Sequence, residues 1–269
     1  MSAEPATRRL AVLGQPIAHS RSPAMHNAAL AELGMDGEWS YEAIEVGPDR
    51  FEQRVRAMPE EGFVGANVTV PHKGSALAVA DSLSETAREI GAANTLSFDE
   101  GEVQAENTDA GGFLAALPES VSGARALVLG AGGAGRAVVW ALVREGAEVG
   151  VWNRTALRSQ HLCEELGGHP VAEPDPGAYE LIVNTTTVGL EGEDPFSELP
   201  LRSAAFGSGQ TVVDLVYGRE PTALVEAAAA AGAAVIDGIE VLVQQGALSF
   251  QIWTGREPPL DAMRAAARA

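Results

Sequence analysis

Ala126-Leu127-Val128-Leu129-Gly130-Ala131-Gly132-Gly133-Ala134-Gly135-Arg136-Ala137 runs a hydrophobic strand, a glycine-rich turn and the opening of a helix together without a break. Gly130 permits the tight turn, Gly132 lets backbone N–H groups approach a pyrophosphate, and Gly135 allows the helix to pack closely on the strand. A glycine triplet alone is equally consistent with a ligand-free turn. Here a strand precedes it and a helical pattern from Ala134 to Arg144 follows it. Gly130, Ala131, Gly132, Gly133, Ala134 and Gly135 therefore read as a dinucleotide cradle at a helix N-terminus.

The strand that follows, Glu148 to Trp152, selects the cofactor. Modules that bind NAD usually place an acidic residue about 20 residues downstream to hold the ribose 2′-hydroxyl. This chain instead carries Asn153-Arg154-Thr155, with Arg158 one turn later. Arg154 and Arg158 are expected on one face of the next helix start, where two guanidinium forks can grip a 2′-phosphate. Solvated surface arginines are the commoner case, but the position at the carboxyl end of the second strand favours NADP(H).

Outward from this module, short apolar runs alternate with helical patterns almost from end to end, the signature of α/β architecture with parallel strands. The strand-like runs are Arg9 to Leu13, Gly65 to Val70, Ala126 to Leu129, Glu148 to Trp152, Leu181 to Asn184, Thr211 to Leu215 and Ala233 to Ile236. A chain of 269 residues is long for one compact unit and comfortable for two. The boundary is placed near Asn107 and Thr108. Residues 1–107 form an N-terminal α/β substrate domain and 108–239 a C-terminal Rossmann domain. The segment 240–269, opening with an amphipathic helix from Glu240 to Trp253, is expected to pack back on the first domain and complete it. A cleft between the domains is then the expected site.

Composition narrows the function classes. Hydrophobic residues at 46% and charged ones at 20% suit packed cores throughout. No apolar run approaches the roughly 20 residues that cross a bilayer, and MSAEPATRRL lacks the apolar core of a secretory signal, so no membrane and a cytoplasmic location are expected. A net charge of −19 with no basic block argues against nucleic acid and for small-molecule partners. That field also opposes anionic ligands, which must then be met by local donors and arginines. Cys163 is the only cysteine, and no Cys/His cluster has metal-ligand spacing, so no metal site is expected. Monomer and homodimer are both open.

In the first half, Gly14-Gln15-Pro16-Ile17-Ala18-His19-Ser20-Arg21-Ser22-Pro23-Ala24-Met25-His26-Asn27 joins the first strand to the first helix. Ser22 before Pro23 is a good N-cap, and with Ser20 it makes a pair of hydroxyls beside a helix N-terminus, a carboxylate cradle without formal charge. His19 and His26 read as structural. Asn67-Val68-Thr69-Val70-Pro71-His72-Lys73 delivers polar residues to a strand's carboxyl end, where α/β proteins bind ligands. Asn94-Thr95 and Asn107-Thr108-Asp109 each follow a short apolar run; singly, Asn94 suits a turn and Asp109 a helix cap. One compositional oddity marks this half: of 18 basic residues Lys73 is the sole lysine, against a general drift toward arginine.

Taken together, these motifs resemble the shikimate dehydrogenase family over nearly the whole chain. The matching segments are Gly14 to Asn27, Asn67 to Lys73, Gly91 to Thr95, Asn107 to Gly111, Gly130 to Ala137, Asn153 to Thr155, Asn184 to Gly189, Asp214 to Tyr217 and Gly238 to Gly255. The resemblance implies that Ser20 and Ser22 bind the shikimate carboxylate, that Thr69, Asn94 and Gln245 contact the ring hydroxyls and their surroundings, and that Lys73 and Asp109 are the catalytic pair. It also implies that Tyr217 lies near the substrate and Gly238 beside the nicotinamide. The chain departs from the pattern at Gly218 after the tyrosine, at Val188-Gly189-Leu190 in place of a more methionine-rich turn, and at Val241 in place of a common methionine.

The activity so implied is reversible NADPH-dependent reduction of 3-dehydroshikimate to shikimate. Lysine can give a proton to the developing alkoxide and take it back, whereas arginine stays protonated, a chemical reason for one lysine to persist. A sister enzyme acting on quinate or an aminated shikimate is the nearest alternative. A nonenzymatic NADP-binding sensor is the alternative of another class.

Overall fold

The structure, a computed structural model, describes residues 7–218 and 220–269. The chain divides into two compact units, one of Met1–Thr108 with Val243–Ala269 and one of Asp109–Leu242. The return segment joins the first unit at Val243.

The first unit holds six strands: β1 (Arg8–Gly14), β2 (Trp39–Glu45), β3 (Phe63–Val68), β4 (Ser82–Leu83), β5 (Thr95–Asp99) and β6 (Glu102–Glu106). They form one sheet in the order β2-β1-β3-β5-β6-β4. Helices α1 (Ser22–Glu32), α2 (Phe51–Ala57), α3 (Lys73–Val79) and α4 (Glu85–Ile90) connect them. Leu13, Phe51, Val55, Met58, Phe63, Val68 and Leu96 bury one face of this sheet.

The expectation of parallel strands needs correction here. β1 pairs parallel with both β2 and β3, but β5 runs antiparallel to β3 and to β6. The cause is local. Asp99 pairs with Glu102, leaving Glu100 and Gly101 as a two-residue connection with φ of 49° and 87°. Two successive positive φ values make the turn whose twist matches an antiparallel hairpin. In this unit β2, β4, β5 and β6 were not among the expected strands. β4 has only two residues, β5 and β6 mix polar with apolar residues, and β2 alternates buried Trp39 and Tyr41 with more exposed residues rather than running continuously apolar.

The second unit holds β7 (Arg125–Leu129), β8 (Glu148–Trp152), β9 (His169–Pro170), β10 (Leu181–Asn184), β11 (Thr211–Asp214) and β12 (Ala234–Ile236). All neighbours are parallel, in the order β12-β11-β10-β7-β8-β9. Counted within the unit this is strand order 3-2-1-4-5-6, the doubly wound dinucleotide fold, and its switch point lies between β7 and β10. α5 (Asp109–Ala116), α6 (Gly133–Arg144), α7 (Ala156–Leu166), α8 (Pro195–Glu198) and α9 (Ala223–Ala230) accompany the strands. The strands read as continuous apolar runs because both faces are covered: Leu127, Val128, Ile182, Val183, Val212 and Val213 are all fully buried.

α10 (Gly238–Thr254) begins in the second unit's sequence and continues into the first unit's, and α11 (Leu260–Arg268) closes the chain against α1. Glycines let the return helix seat closely. A Cβ on Gly246 would lie 2.3 Å from Met25 Cε, and one on Gly65 of β3 would lie 2.1 Å from Trp253 Nε1. The Trp253 indole N–H donates to the Leu96 carbonyl at 3.0 Å, fixing the ring that Gly65 admits.

Candidate active site

In the second unit the glycine-rich turn leaves β7 at the switch point. Gly130 has φ of 112°, and a Cβ there would strike Thr185 Oγ1 at 2.6 Å. Thr185, just past β10, donates its hydroxyl to the Leu129 carbonyl at 2.9 Å and so closes the turn from beneath. A Cβ on Gly135 would lie 2.3 Å from the Gly130 carbonyl oxygen, so the helix approaches the turn as closely as only glycine allows. Gly132 differs. Its backbone is extended, and nothing lies within 4 Å of where its Cβ would be. The N-terminus of α6 at Gly133 and Ala134 therefore faces open space with unsatisfied N–H groups, a fitting seat for a pyrophosphate.

Asn153 has a second role beyond the one expected from its motif. Its Oδ1 accepts from the Ala131 N–H at 3.1 Å and its Nδ2 donates to the Thr155 carbonyl at 3.0 Å. One side chain thus ties the glycine turn to the loop after β8. The Ala131 N–H is engaged by this tether. Arg154, Thr155 and Arg158 are exposed around the start of α7, where the two guanidinium groups are open to an anion. Leu157 beside them is 62% exposed.

Beyond β10 and β11 the carboxyl edge continues into Asn184 and Asp214, which pair across the two strands and are buried. The Asp214 carboxyl accepts from Asn184 Nδ2 at 2.9 Å, the Val216 N–H at 3.1 Å and Thr222 Oγ1 at 2.6 Å. Burial pushes this carboxyl above the usual carboxylate range against the pull of those donors. Tyr217 follows three residues later, half-buried, on the wall of a cavity of about 200 Å³ shared with Gly189, Leu190, Glu193 and Thr222. Gly238 packs against the same segment, its absent Cβ only 2.6 Å from the Leu215 carbonyl oxygen.

In the first unit, α1 begins at Ser22, so Ser22 is not the N-cap that the sequence suggested. Arg21 holds that position without a side-chain bond, and the Ser22 N–H donates to Ser20 Oγ at 3.3 Å. Pro23 explains the shift: it occupies the first turn where a free N–H is not needed, so the helix enters a residue earlier. The two hydroxyls remain neighbours at the helix start.

Thr69 lies just past β3, its N–H donating to the Leu13 carbonyl at 2.9 Å. Lys73 opens α3, half-buried, and its carbonyl accepts from the Ala93 N–H at 2.9 Å. The residue before it, His72, is the anchor that sequence reasoning missed. Its ring is buried, stacks on Phe51 at 4.4 Å, and donates from Nε2 to the Val46 carbonyl at 2.6 Å. Nothing local in the sequence distinguishes it, because its partners come from distant segments.

Asn94 and Gln245 meet directly: Asn94 Nδ2 donates to Gln245 Oε1 at 3.0 Å and to Thr108 Oγ1 at 2.9 Å, while Asn94 Oδ1 accepts from the Thr108 N–H at 2.7 Å. Behind them lies a buried cluster. Asn67 Nδ2 donates to Ser249 Oγ at 2.9 Å, Thr95 Oγ1 lies 2.9 Å from Ser249 Oγ and 3.1 Å from Thr108 Oγ1, and the Tyr41 hydroxyl donates to Asn67 Oδ1 at 2.8 Å. Every member has partners, the condition under which a buried polar network rigidifies rather than destabilises. Tyr41 and Ser249 carry no local motif and could be found only from the fold. Thr108, held here, is followed directly by Asp109, the first residue of α5.

His26, read as structural, is fully buried and stacks on Tyr41 at 4.2 Å with neither ring nitrogen hydrogen-bonded. Burial drags its pKa down from 6.5 to about 3. Among the described residues no group of three or more His, Cys, Asp or Glu could hold a metal ion, and no helix is long and apolar enough to cross a membrane.

Three family models match the chain. Residues 12–96 match the shikimate dehydrogenase substrate binding domain, residues 114–175 match shikimate/quinate 5-dehydrogenase, and residues 238–268 match the shikimate 5′-dehydrogenase C-terminal domain. Shikimate dehydrogenase (NADP(+)) of Methanothermobacter thermautotrophicus is 42% identical over 266 residues, covering 94% of this chain and 93% of the relative. Its counterpart from an Anaeromyxobacter species is 45% identical over 271 residues, covering 95% and 94%. Among solved structures, shikimate 5-dehydrogenase from Thermus thermophilus in complex with NADP(H) and shikimate superposes with a TM-score of 0.88 at 45% identity, covering 97% of this chain and 99% of that one.

Proposed function

The chain belongs to the shikimate dehydrogenase family, and from that premise we propose how its residues carry out the reversible NADPH-dependent reduction of 3-dehydroshikimate to shikimate. The observation that carries the cofactor assignment is the pairing of an open α6 N-terminus at Gly132 with two exposed arginines and no carboxylate in the stretch Asn153 to Arg158 directly after β8. These residues fit an NADP pyrophosphate and 2′-phosphate. When bound, NADPH supplies the hydride.

The protein's own contribution begins with binding. Ser20 and Ser22 donate hydroxyls to the substrate carboxylate, where a helix start favours negative charge. Thr69, Asn94 and Gln245 address the ring hydroxyls. The mutual bond of Asn94 and Gln245 fixes which amide face each presents, and the network behind them holds that choice without substrate. Tyr217 completes the substrate shell, and Gly238, seated on the Leu215 and Val216 carbonyl oxygens, lies beside the nicotinamide.

Lys73 gives its proton to the carbonyl oxygen as charge develops there, and recovers one when the reaction runs backward. Asp109 orients that ammonium and hydrogen-bonds a substrate hydroxyl. The α3 terminus is rigid where this matters: His72 is locked between Phe51 and the Val46 carbonyl, and the Lys73 carbonyl is pinned by Ala93. Gly130, Gly133, Ala134 and Gly135 shape the pyrophosphate seat, with Ala131 held in place by Asn153. Arg154, Thr155 and Arg158 take the 2′-phosphate. The cytoplasmic location expected from the sequence goes with this reading.

The test is a matrix of initial rates with shikimate and quinate, each with NADP and NAD. The reading predicts kcat/KM highest by at least about tenfold for shikimate with NADP, about the discrimination that one charge-assisted contact supplies. A preference for quinate would move the protein to the sister activity. No turnover on any pairing, with tight NADP binding, would move it to a sensor.

A further inference from the structure

Asp214 is a buried carboxyl that the chemistry above leaves without a task. It ends β11 at the carboxyl edge of the sheet, is 1% exposed, and faces Asn184 at the end of β10. Its contacts run in two directions. Through Asn184 it reaches the loop after β10: Asn184 donates to Asp214 at 2.9 Å, while Asn184 Oδ1 accepts from the N–H and hydroxyl of Thr186 at 3.1 and 2.7 Å. Thr186 Oγ1 in turn accepts from the Val188 N–H at 3.1 Å. In the other direction Asp214 closes its own loop, accepting from Val216 N–H at the near end and Thr222 Oγ1 at the far end. Thr222 spends its remaining capacity as the N-cap of α9, accepting from Val225 N–H at 3.3 Å.

One carboxyl therefore fixes both segments that border the cavity beside Tyr217. A loop of this length held only by its strand and helix ends would sample many conformations, and each sampled state would weaken a contact made from it. The tight seat of Gly238 over the Leu215 and Val216 carbonyl oxygens, at 2.6 and 2.8 Å from its absent Cβ, needs the same two residues to stay in place.

We propose that Asp214, with Asn184 and Thr222, is a positioning residue for catalysis: a buried polar clamp that holds Tyr217 and the floor under Gly238 in the geometry that substrate turnover requires, without itself touching substrate or cofactor. This rests on the reading of Tyr217 and Gly238 given above. The 2′-phosphate pocket after β8 hangs on other contacts, chiefly Asn153, so the clamp is expected to affect turnover and substrate use far more than cofactor affinity.

The test compares Asp214→Asn, Thr222→Val and Thr222→Ser with the wild-type chain, well below their melting temperatures. Losing a bond to a charged group corresponds to about a 10- to 100-fold effect. Asp214→Asn and Thr222→Val are expected to lose that factor in kcat/KM for 3-dehydroshikimate, while the NADPH Kd stays within about threefold. Thr222→Ser, which keeps the hydroxyl in both of its bonds, restores kcat/KM to within about threefold of wild type. A role confined to capping α9 would lower the melting temperature of Thr222→Val and leave the kinetic constants of the folded enzyme alone. That result overturns the proposal, as does a loss spread equally over NADPH affinity and turnover. Should Asp214→Asn fail to fold, the two Thr222 variants decide alone. A wild-type chain inactive on 3-dehydroshikimate would overturn the underlying reading as well, whereas an active wild type with indifferent variants overturns only the clamp.

Discussion

Gly132→Ala separates the cofactor's needs from those of the fold. The Gly132 backbone, at φ −87° and ψ −170°, is one that alanine adopts freely, and an added Cβ meets no atom within 4 Å. Alanine in place of glycine also restricts the unfolded chain, worth about 0.4–1 kcal/mol, against a similar loss from a poorer helix cap. Stability should therefore change by less than about 1 kcal/mol. Binding is another matter, because the methyl group takes the space through which a pyrophosphate approaches α6. Losing one charge-assisted hydrogen bond of about 1.5–3 kcal/mol raises Kd by roughly 10- to 100-fold. Gly135→Ala is the contrast: its Cβ would sit 2.3 Å from the Gly130 carbonyl oxygen, so both stability and binding should fall. Calorimetric titration with NADPH and thermal melts of both variants provide the comparison. Wild-type NADPH affinity in a stable Gly132→Ala chain would refute the assignment of that space to the cofactor.

Arg154→Ala should weaken NADPH by about 10- to 100-fold while leaving NADH within about twofold, and an unchanged ratio of the two dissociation constants would remove the 2′-phosphate argument. Gly65→Ala forces a Cβ to within 2.1 Å of Trp253 Nε1 and breaks that ring's bond to Leu96; overpacking plus one hydrogen bond comes to about 2–4 kcal/mol, read as a fall in Tm of roughly 5–15 °C. For pH, His26 titrates near 6.5 when unfolded and about 3 when folded, so between these values the unfolded chain binds the extra proton. Stability from this group is full above about 6.5 and declines by about 1.4 kcal/mol per unit as pH falls toward 3. His26→Phe keeps a stacking ring and should flatten the pH dependence of the urea midpoint by that slope; an identical slope in the variant would show that His26 does not set it.

How much of this was legible in the sequence depends on how local the physics is. The strand, glycine turn and helix at Ala126 to Arg144 could be read because each step is dictated by neighbouring residues: an apolar run, a required positive φ at Gly130, and a helix that must approach its strand closely. The continuous apolar runs of the second unit likewise announced parallel strands covered on both faces. The first unit was harder. β2 buries only alternate residues, and the antiparallel pairing of β5 with β6 hangs on a Glu100-Gly101 turn whose composition is not the usual asparagine-glycine signal.

The candidate site shows the same division. Lys73 stood out as a lone lysine, and Asn94 and Thr108 sat in recognisable short motifs. The contacts that fix them did not, since Ser249 meets Asn67 across 182 residues of chain and His72 meets Val46 across 26. Ser22 illustrates the opposite failure. Serine before proline suggests a cap, yet proline's tolerance of the first turn let the helix start one residue early and left Ser20 to accept the Ser22 N–H. Asp214 was visible only as part of a matching segment, because a clamp between two strand ends has no spacing in sequence.

The claim on which the mechanism turns is that Lys73 exchanges a proton during turnover, and Lys73→Arg tests it most directly, because that change keeps the positive charge and removes the exchange. With NADPH and 3-dehydroshikimate, kcat of the variant is predicted to drop by about 100-fold or more at an NADPH Kd within about threefold of wild type. Turnover close to the wild-type rate in that variant would contradict the account.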